Sequence, residues 1–335
     1  MTEDSALARF RRIGLITIGA VYFLIMVGSI VRASGAGMGC PDWPTCFGQL
    51  IPPTDESQLP ANYHEIYAVG YADTSFNPLK TWTEYLNRLV GVCIGVLIVS
   101  TLAASTPFLK RDKAVFWLCL GVFFAVGFQA WLGSVVVASN LNPAKITAHM
   151  LMALLIVATL VYAVTRAQWA QFAALDTRVL PERVYTVARL VLFLTVLQIV
   201  LGIQVREGVD VIDAALQHEN RHLWREQFPV IFYVHRSFSI LVLLANGWLA
   251  WSLRKSLGKQ HLLARTSAVL MGLIVFAIVL GVSMDRLGMP AVSQPLHLLM
   301  ANLIFGAQFF LFTVYRYSRT GAEAGAVSLG YAEDR

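Results

Sequence analysis

Three histidines lie inside long apolar runs of this chain: His149, His235 and His297. Each falls within the first one or two turns of its run. Near the start of another run, Glu84, Asn87 and Arg88 sit at i, i+3 and i+4, a spacing that sends all three toward one helical face. Groups of this kind are expensive in lipid and mark functional positions there. A single membrane histidine ordinarily hydrogen-bonds a neighbouring helix. Two imidazoles at one depth on two helices of a bundle, as expected for His235 and His297, also make an axial pair for haem iron. Arg236 directly follows His235, and Arg88 follows Asn87. A guanidinium there either pairs a haem propionate bidentately or snorkels to water. On this reading His149, His235 and His297 are the metal ligands of two haem sites.

The elements that must carry these residues follow from hydropathy. Of 335 residues, 57% are hydrophobic and 14% charged, and the mean hydropathy is +0.62. The apolar residues form eight blocks of about twenty, the length that crosses a bilayer core as helix. They lie at 13–31, 84–106, 114–138, 146–166, 187–206, 230–253, 266–285 and 296–315. Backbone groups in hydrocarbon must pair within their own segment, so the expected fold is all-α: a polytopic membrane protein of eight transmembrane helices. Lys and Arg concentrate on the side that holds both termini, at Arg9, Arg11 and Arg12 and within 107–113, 166–189 and 254–265. That asymmetry predicts cytoplasmic termini in a cell's inner (plasma) membrane, with the histidines toward the outer face. The net charge of +6 is therefore read as topology and anionic lipid, with no nucleic-acid partner.

The chain also repeats itself. "FQAWLGSVVVASNLNPAKITAHMLMA" from Phe128 matches "FAIVLGVSMDRLGMPAVSQPLHLLMA" from Phe276. Gly133 meets Gly281 and His149 meets His297. The same offset places Asn87-Arg88 on His235-Arg236, and "VGSIVR" ending at Arg32 matches "LGIQVR" ending at Arg206. Two tandem four-helix bundles are expected, 1–175 with a long first outer loop at 32–80, and 176–335. The match of the first span to the fifth argues that it is a span and not a signal peptide. Gly28, Gly133, Gly202 and Gly281, near the outer ends of the odd spans, suit close helix packing or clear room for a flat ligand. The halves differ where it matters: Phe232 stands at the position of Glu84, and His235 at that of Asn87. A bis-histidine iron suits electron transfer. A site with His149 alone, near Glu84, leaves a coordination position open for chemistry.

Cys40 and Cys46 flank "PDWPT" in the first outer loop, where an oxidising compartment permits a disulfide; free thiols or a transient redox pair are the alternatives. Cys93 and Cys119 lie within spans as apolar filler. His64, His218, His222 and His261 read as surface residues, with His218 and His222 spaced at i, i+4 as a metal pair would be.

As a set, "GSIVRASGAGMGCPDWPTCFGQLIPP", "EYLNRLVG", "ITAHMLMA", "YVHRSFSI" and "PLHLLMANL" resemble the haem A synthase family. The resemblance covers essentially all eight spans. It implies an oxidoreductase of haem A biosynthesis that converts the C8 methyl of haem O to a formyl group by successive hydroxylations and loss of water. It implies haem b as cofactor in the C-terminal half, ligated by His235 and His297 with Arg236 at its propionates. The haem O substrate falls to the N-terminal half, ligated by His149, with Arg88 and Arg32 at its propionates and Glu84 as the catalytic carboxylate. Cys40 and Cys46 resemble the outer-loop disulfide pair of many bacterial members, whereas 207–229 holds no matching pair. Implied partners are membrane lipid, a quinone or other redox carrier, the haem O synthase and oxidase assembly factors. Most members carry His where this chain has Asn87. The amide then marks a one-ligand subfamily, hydrogen-bonds an iron-bound water or oxygen species, or signals lost activity. Two rivals remain: a cytochrome b-type electron carrier, which leaves Glu84 unexplained, and a transporter, which would need a helix broken at mid-membrane.

Overall fold

The computed structural model describes residues 3–67, 75–215, 224 and 226–333. Eight of its helices are long and apolar enough to cross a membrane. We label them α1 (Glu3–Ala33), α2 (Pro78–Ser105), α3 (Lys113–Ala138), α4 (Pro143–Arg166), α5 (Glu182–Ala215), α6 (Val230–Leu257), α7 (Leu262–Arg286) and α8 (Ser293–Glu333). Among the described residues there is no β-strand, only an isolated bridge between Cys46 and Gln49. Several helices outrun their apolar blocks. Hydropathy marks the part that lipid would cover, whereas intrahelical hydrogen bonding continues until a cap or breaker intervenes. Residues 207–215, expected in a loop, therefore extend α5. His218 and His222 lie outside the described residues.

The starts of the helices are written locally. Asn77 caps α2, its side chain accepting from the Lys80 N–H at 3.1 Å, with Pro78 at the first helical position. Asp112 does the same for α3 through the Ala114 N–H at 3.2 Å, and His261 for α7 through its Nδ1 and the Leu263 N–H. Trp117, Phe124, Val96, Leu244 and Val279 stand exposed on the helix surfaces, as side chains facing lipid do.

The chain divides into two compact units, Met1–Leu160 and Val161–Arg335. The division falls within α4. The residues after it belong with α8: Phe172 meets the Phe310 ring edge-on at 5.9 Å, and the Thr177 hydroxyl bonds that of Ser318 at 3.0 Å. In the first unit, α1 and α2 are joined by the buried hydroxyls of Thr17 and Thr101 at 2.8 Å and by Phe10 on Phe108. In the second, Leu249 and Leu253 of α6, Leu263 and Ala264 of α7, and Leu311, Val314 and Tyr315 of α8 form one buried cluster with Val184, Ala188 and Val191 of α5. The Gln308 amide donates to Asn246 at 2.8 Å, linking α8 to α6. The loop between α1 and α2 has its own core of Cys40, Cys46, Phe47, Leu59 and Tyr63. Burial, with the Asp42 carboxylate adding to it, pushes the Tyr67 phenol beside this core up from its ordinary range.

Leu253 has no exposed surface. Leu253→Ala is expected to lower stability by about 2–5 kcal/mol, read as thermal unfolding of the purified protein in detergent.

Candidate functional site

In the second unit, His235 and His297 each lie between one and two turns into their helices, α6 and α8. Their rings face each other with centroids 6.3 Å apart and planes at 70°. The His297 Nδ1 lies 2.9 Å from the Ala277 carbonyl oxygen. A carbonyl only accepts, so Nδ1 carries the proton and Nε2 keeps its lone pair for a metal. The His235 Nδ1 has no partner in the protein. Its backbone carbonyl accepts from the Gln198 amide at 3.1 Å. An imidazole nitrogen sits about 2 Å from a metal that it ligates, so two such bonds with half a ring on either side span about 6 Å. The separation of the two rings suits one iron held between them, and the His235 Nε2 lies 3.4 Å from the Gln198 amide nitrogen.

Each ring rests against a glycine of the preceding odd helix. A Cβ built on Gly202 of α5 would lie 3.1 Å from the His235 Cε1, and one on Gly281 of α7 would lie 3.6 Å from the His297 Cε1. Arg236 follows His235 outward, half exposed and 3.8 Å from Asp285. Its guanidinium lies over the rings of Phe232 at 5.9 Å and Tyr233 at 5.2 Å. Arg206, the counterpart of Arg32, pairs with Asp210 at 2.9 Å and hydrogen-bonds Gln294.

The first unit repeats this plan with different side chains. His149 lies two turns into α4, and a Cβ on Gly133 of α3 would lie 3.4 Å from its Cε1. Its carbonyl accepts from the Gln129 amide at 3.1 Å. On α2, Asn87 takes the corresponding place, with its Oδ1 3.7 Å from a Cβ built on Gly28 of α1. The Asn87 Oδ1 and the His149 Nδ1 are both buried without a protein partner. One imidazole and one amide suit a ligand held firmly on one face only.

Glu84 and Arg88 turn elsewhere. The expectation that they share a face with Asn87 does not hold at the level of contacts. Glu84 is 4% exposed. One carboxylate oxygen accepts from Arg88 Nη2 at 2.6 Å and the other from the Cys40 N–H at 2.8 Å. Arg88 Nη1 donates to the carbonyls of Asp42 at 2.6 Å and Thr45 at 2.8 Å, and Nη2 also donates to that of Cys40 at 2.8 Å. In this structure both terminal nitrogens of Arg88 are engaged by the loop and by Glu84. Cys40 and Cys46 are joined by a disulfide, so the free-thiol alternative falls away here. Inside the loop, the Asp42 carboxylate accepts from the N–H groups of Phe47 at 2.5 Å and Gly48 at 2.9 Å. Along α2, Thr81 donates to the Gly39 carbonyl at 2.9 Å, Trp82 to Pro53 at 3.2 Å and Tyr85 to Leu50 at 2.6 Å. Any Cβ at Gly39 would overlap the Lys80 carbonyl.

Gln129 and Gln198 were not singled out from the sequence, although a signal existed. Each lies one turn before its glycine, in "QAWLG" and "QIVLG", and the other two odd helices read "LIMVG" and "AIVLG" at the same place. Among the described residues, no cluster of three or more His, Cys, Asp or Glu side chains is poised around a bare metal ion.

Known proteins match across this whole architecture. The family described as Cytochrome oxidase assembly protein matches residues 11–309. "Heme A synthase" of Shewanella oneidensis is 29% identical over 189 residues, 56% of this chain and 54% of that protein, so this chain matches about half of its length. "Heme A synthase" of Allorhizobium ampelinum is 26% identical over 309 residues, 83% of this chain and 82% of that protein. That of Brucella anthropi is 24% identical over 335 residues, with 90% and 89% covered.

Removing Arg88 would leave a buried carboxylate uncompensated. Arg88→Ala is expected to cost about 3–5 kcal/mol and to make the 39–53 segment a site of limited proteolysis, with Arg88→Lys recovering only part of the loss because an ammonium lacks the planar fork.

Proposed function

The chain belongs to the COX15-CtaA family of cytochrome oxidase assembly proteins, and we propose that it is a haem A synthase. Its substrate is haem O, whose C8 methyl it oxidises to a formyl group by two successive hydroxylations and loss of water. The observation that carries this reading is the contrast between the units. One presents facing imidazoles 6.3 Å apart. The other presents a lone imidazole, an amide whose buried oxygen has no protein partner and a carboxylate that is 4% exposed.

His235 and His297 would hold a haem b, a saturated centre that supplies one-electron transfer. The Ala277 carbonyl fixes the His297 tautomer, and the Gln198 amide fixes the backbone that bears His235. Arg236, half exposed and next to His235, is assigned to a propionate. In the first unit His149 binds the substrate, with the Gln129 amide on its carbonyl, and Arg32 is assigned to the substrate's propionates. Asn87 leaves the opposite position without a strong ligand. Glu84 carries a negative charge that Arg88 and the Cys40 N–H already hold in place. Such a preorganised charge stabilises positive charge developing at the reacting methyl without further reorganisation. Electrons pass to a quinone or another membrane redox carrier. The Lys and Arg distribution supports an inner-membrane protein with cytoplasmic termini and both sites toward the outer face. The product serves terminal-oxidase assembly.

Co-expression with a source of haem O, followed by mass analysis of extracted haems, tests the activity. Haem A should appear, and haem b with no haem A would favour the electron carrier. Glu84→Gln removes the charge and leaves one oxygen for the two donors, the Cys40 N–H and Arg88, that the carboxylate serves. It is expected to retain haem, to lower the melting temperature, and to lower haem A formation by about 10²-fold or more, with haem O or a hydroxylated intermediate accumulating. Normal haem A yield from this variant would refute the charge's role. Asn87→His is expected to add a second low-spin bis-histidine signal in electron paramagnetic resonance.

A further inference from the structure

The four glycines recur at one place on four different helices, and each has the same neighbour. Gly28, Gly133 and Gly281 lie near the C-terminal ends of α1, α3 and α7, and Gly202 holds the matching place in α5, which runs on to Ala215. The nearest atom to a Cβ built on each belongs to Asn87, His149, His235 or His297 respectively, at 3.7, 3.4, 3.1 and 3.6 Å. Other glycines of these helices are different: Gly19, Gly121, Gly127 and Gly272 have nothing within 4 Å of such a Cβ, and Gly208 meets Pro229 and not a ligand position. Close helix packing in general does not explain why the neighbour is always the residue at the ligand position of the following helix.

A second contact comes from one turn earlier on three of these helices. The Gln129 and Gln198 amides hold the carbonyls of His149 and His235, and the Ala277 carbonyl holds the His297 Nδ1. On these three helices the residue one turn before the glycine pins the ligand's backbone or tautomer, and the glycine gives the ring its resting surface. An imidazole has two rotatable bonds, and a ligand must aim one nitrogen at the metal within narrow limits. A ring pressed on bare helix backbone cannot rotate toward that helix.

We infer that these four glycines are positioning residues, each a seat that sets the direction of the side chain opposite it, with Gly202 the tightest. The inference rests on the haem-binding reading of His149, His235 and His297, but the ring–glycine contact stands without it. At 3.1 Å, an added methyl on Gly202 forces the His235 ring to move. At 3.6 Å, one on Gly281 meets His297 at ordinary van der Waals contact. The seats therefore differ in tolerance, and the order is read from geometry alone.

The test uses the full-length protein purified with its haem. Gly202→Ala is expected to shift the low-spin g-values of the bound haem or convert part of it to a high-spin form, and to lower haem occupancy. Gly281→Ala should give a smaller shift, and Gly272→Ala should leave the spectrum unchanged. A Gly202→Ala spectrum that superimposes on the parent, or an equal change from Gly272→Ala, would overturn the inference. Melting temperatures then close a double-mutant cycle between Gly202→Ala and His235→Ala. If the ring is what the methyl strikes, Gly202→Ala lowers the melting temperature in the parent and not in the His235→Ala background. An equal loss in both backgrounds would make Gly202 a helix-packing residue and sink the seat, whatever the haem content. Preparations that hold no haem but show the coupling would keep the seat and sink the haem reading.

Discussion

A side chain with a hydrogen-bonding group in hydrocarbon has no water to fall back on, and this constraint shapes both units. Backbone groups meet it by forming helices. Side chains meet it with local solutions: Thr17 on Thr101, Gln308 on Asn246, the glutamines on histidine carbonyls. Against that background the atoms left without a protein partner stand out. The Nδ1 atoms of His149 and His235 and the Oδ1 of Asn87 are among them, and all three belong to residues seated on glycines. These three lie where a ligand is proposed, whereas others, such as the His261 Nε2 and the Tyr317 hydroxyl, lie elsewhere.

The two units treat the same helical position in opposite ways. Glu84 and Phe232 occupy it, four residues before Arg88 and Arg236. In the first unit the partner is ionic at 2.6 Å and the arginine is turned into a disulfide-closed loop. In the second the partner is an aromatic face at 5.9 Å and the arginine stays half exposed. Phe232 packs against Val209, Ile212, Trp224, Phe228 and Met289, where a carboxylate would be uncompensated. The carboxylate thus accompanies the disulfide-closed loop, and the ring accompanies an apolar cluster that includes Trp224 and Phe228.

Much of this was legible in the residues. The eight helices were, because lipid permits little else for apolar runs of that length. The facing of His235 and His297 was, because both fall at the same distance into helices that start from one side. The destination of Arg88 was not. Its acceptors are the backbone carbonyls of Cys40, Asp42 and Thr45, and a carbonyl leaves no trace in the residue type that bears it. Nor was the separation of Asn87 from Glu84 and Arg88 visible, since helical spacing places side chains within a wide arc and the neighbours decide the rest. The glycine contacts lay between these cases: the pattern was visible, and its meaning needed coordinates.

The bond set around Arg88 also bears on movement. The segment from Cys40 to Thr45 is fastened through one guanidinium whose bonds to three carbonyls and a carboxylate share two nitrogen atoms. Releasing any part strands charge in a dry setting, so the bonds break together or not at all. With Tyr85 and Trp82 pinning Leu50 and Pro53 as well, this stretch behaves as a rigid extension of α2 and not as a hinged flap. Whatever opens the first unit to a bulky, lipid-borne molecule has to be a shift of helices, with the loop travelling as cargo on one of them.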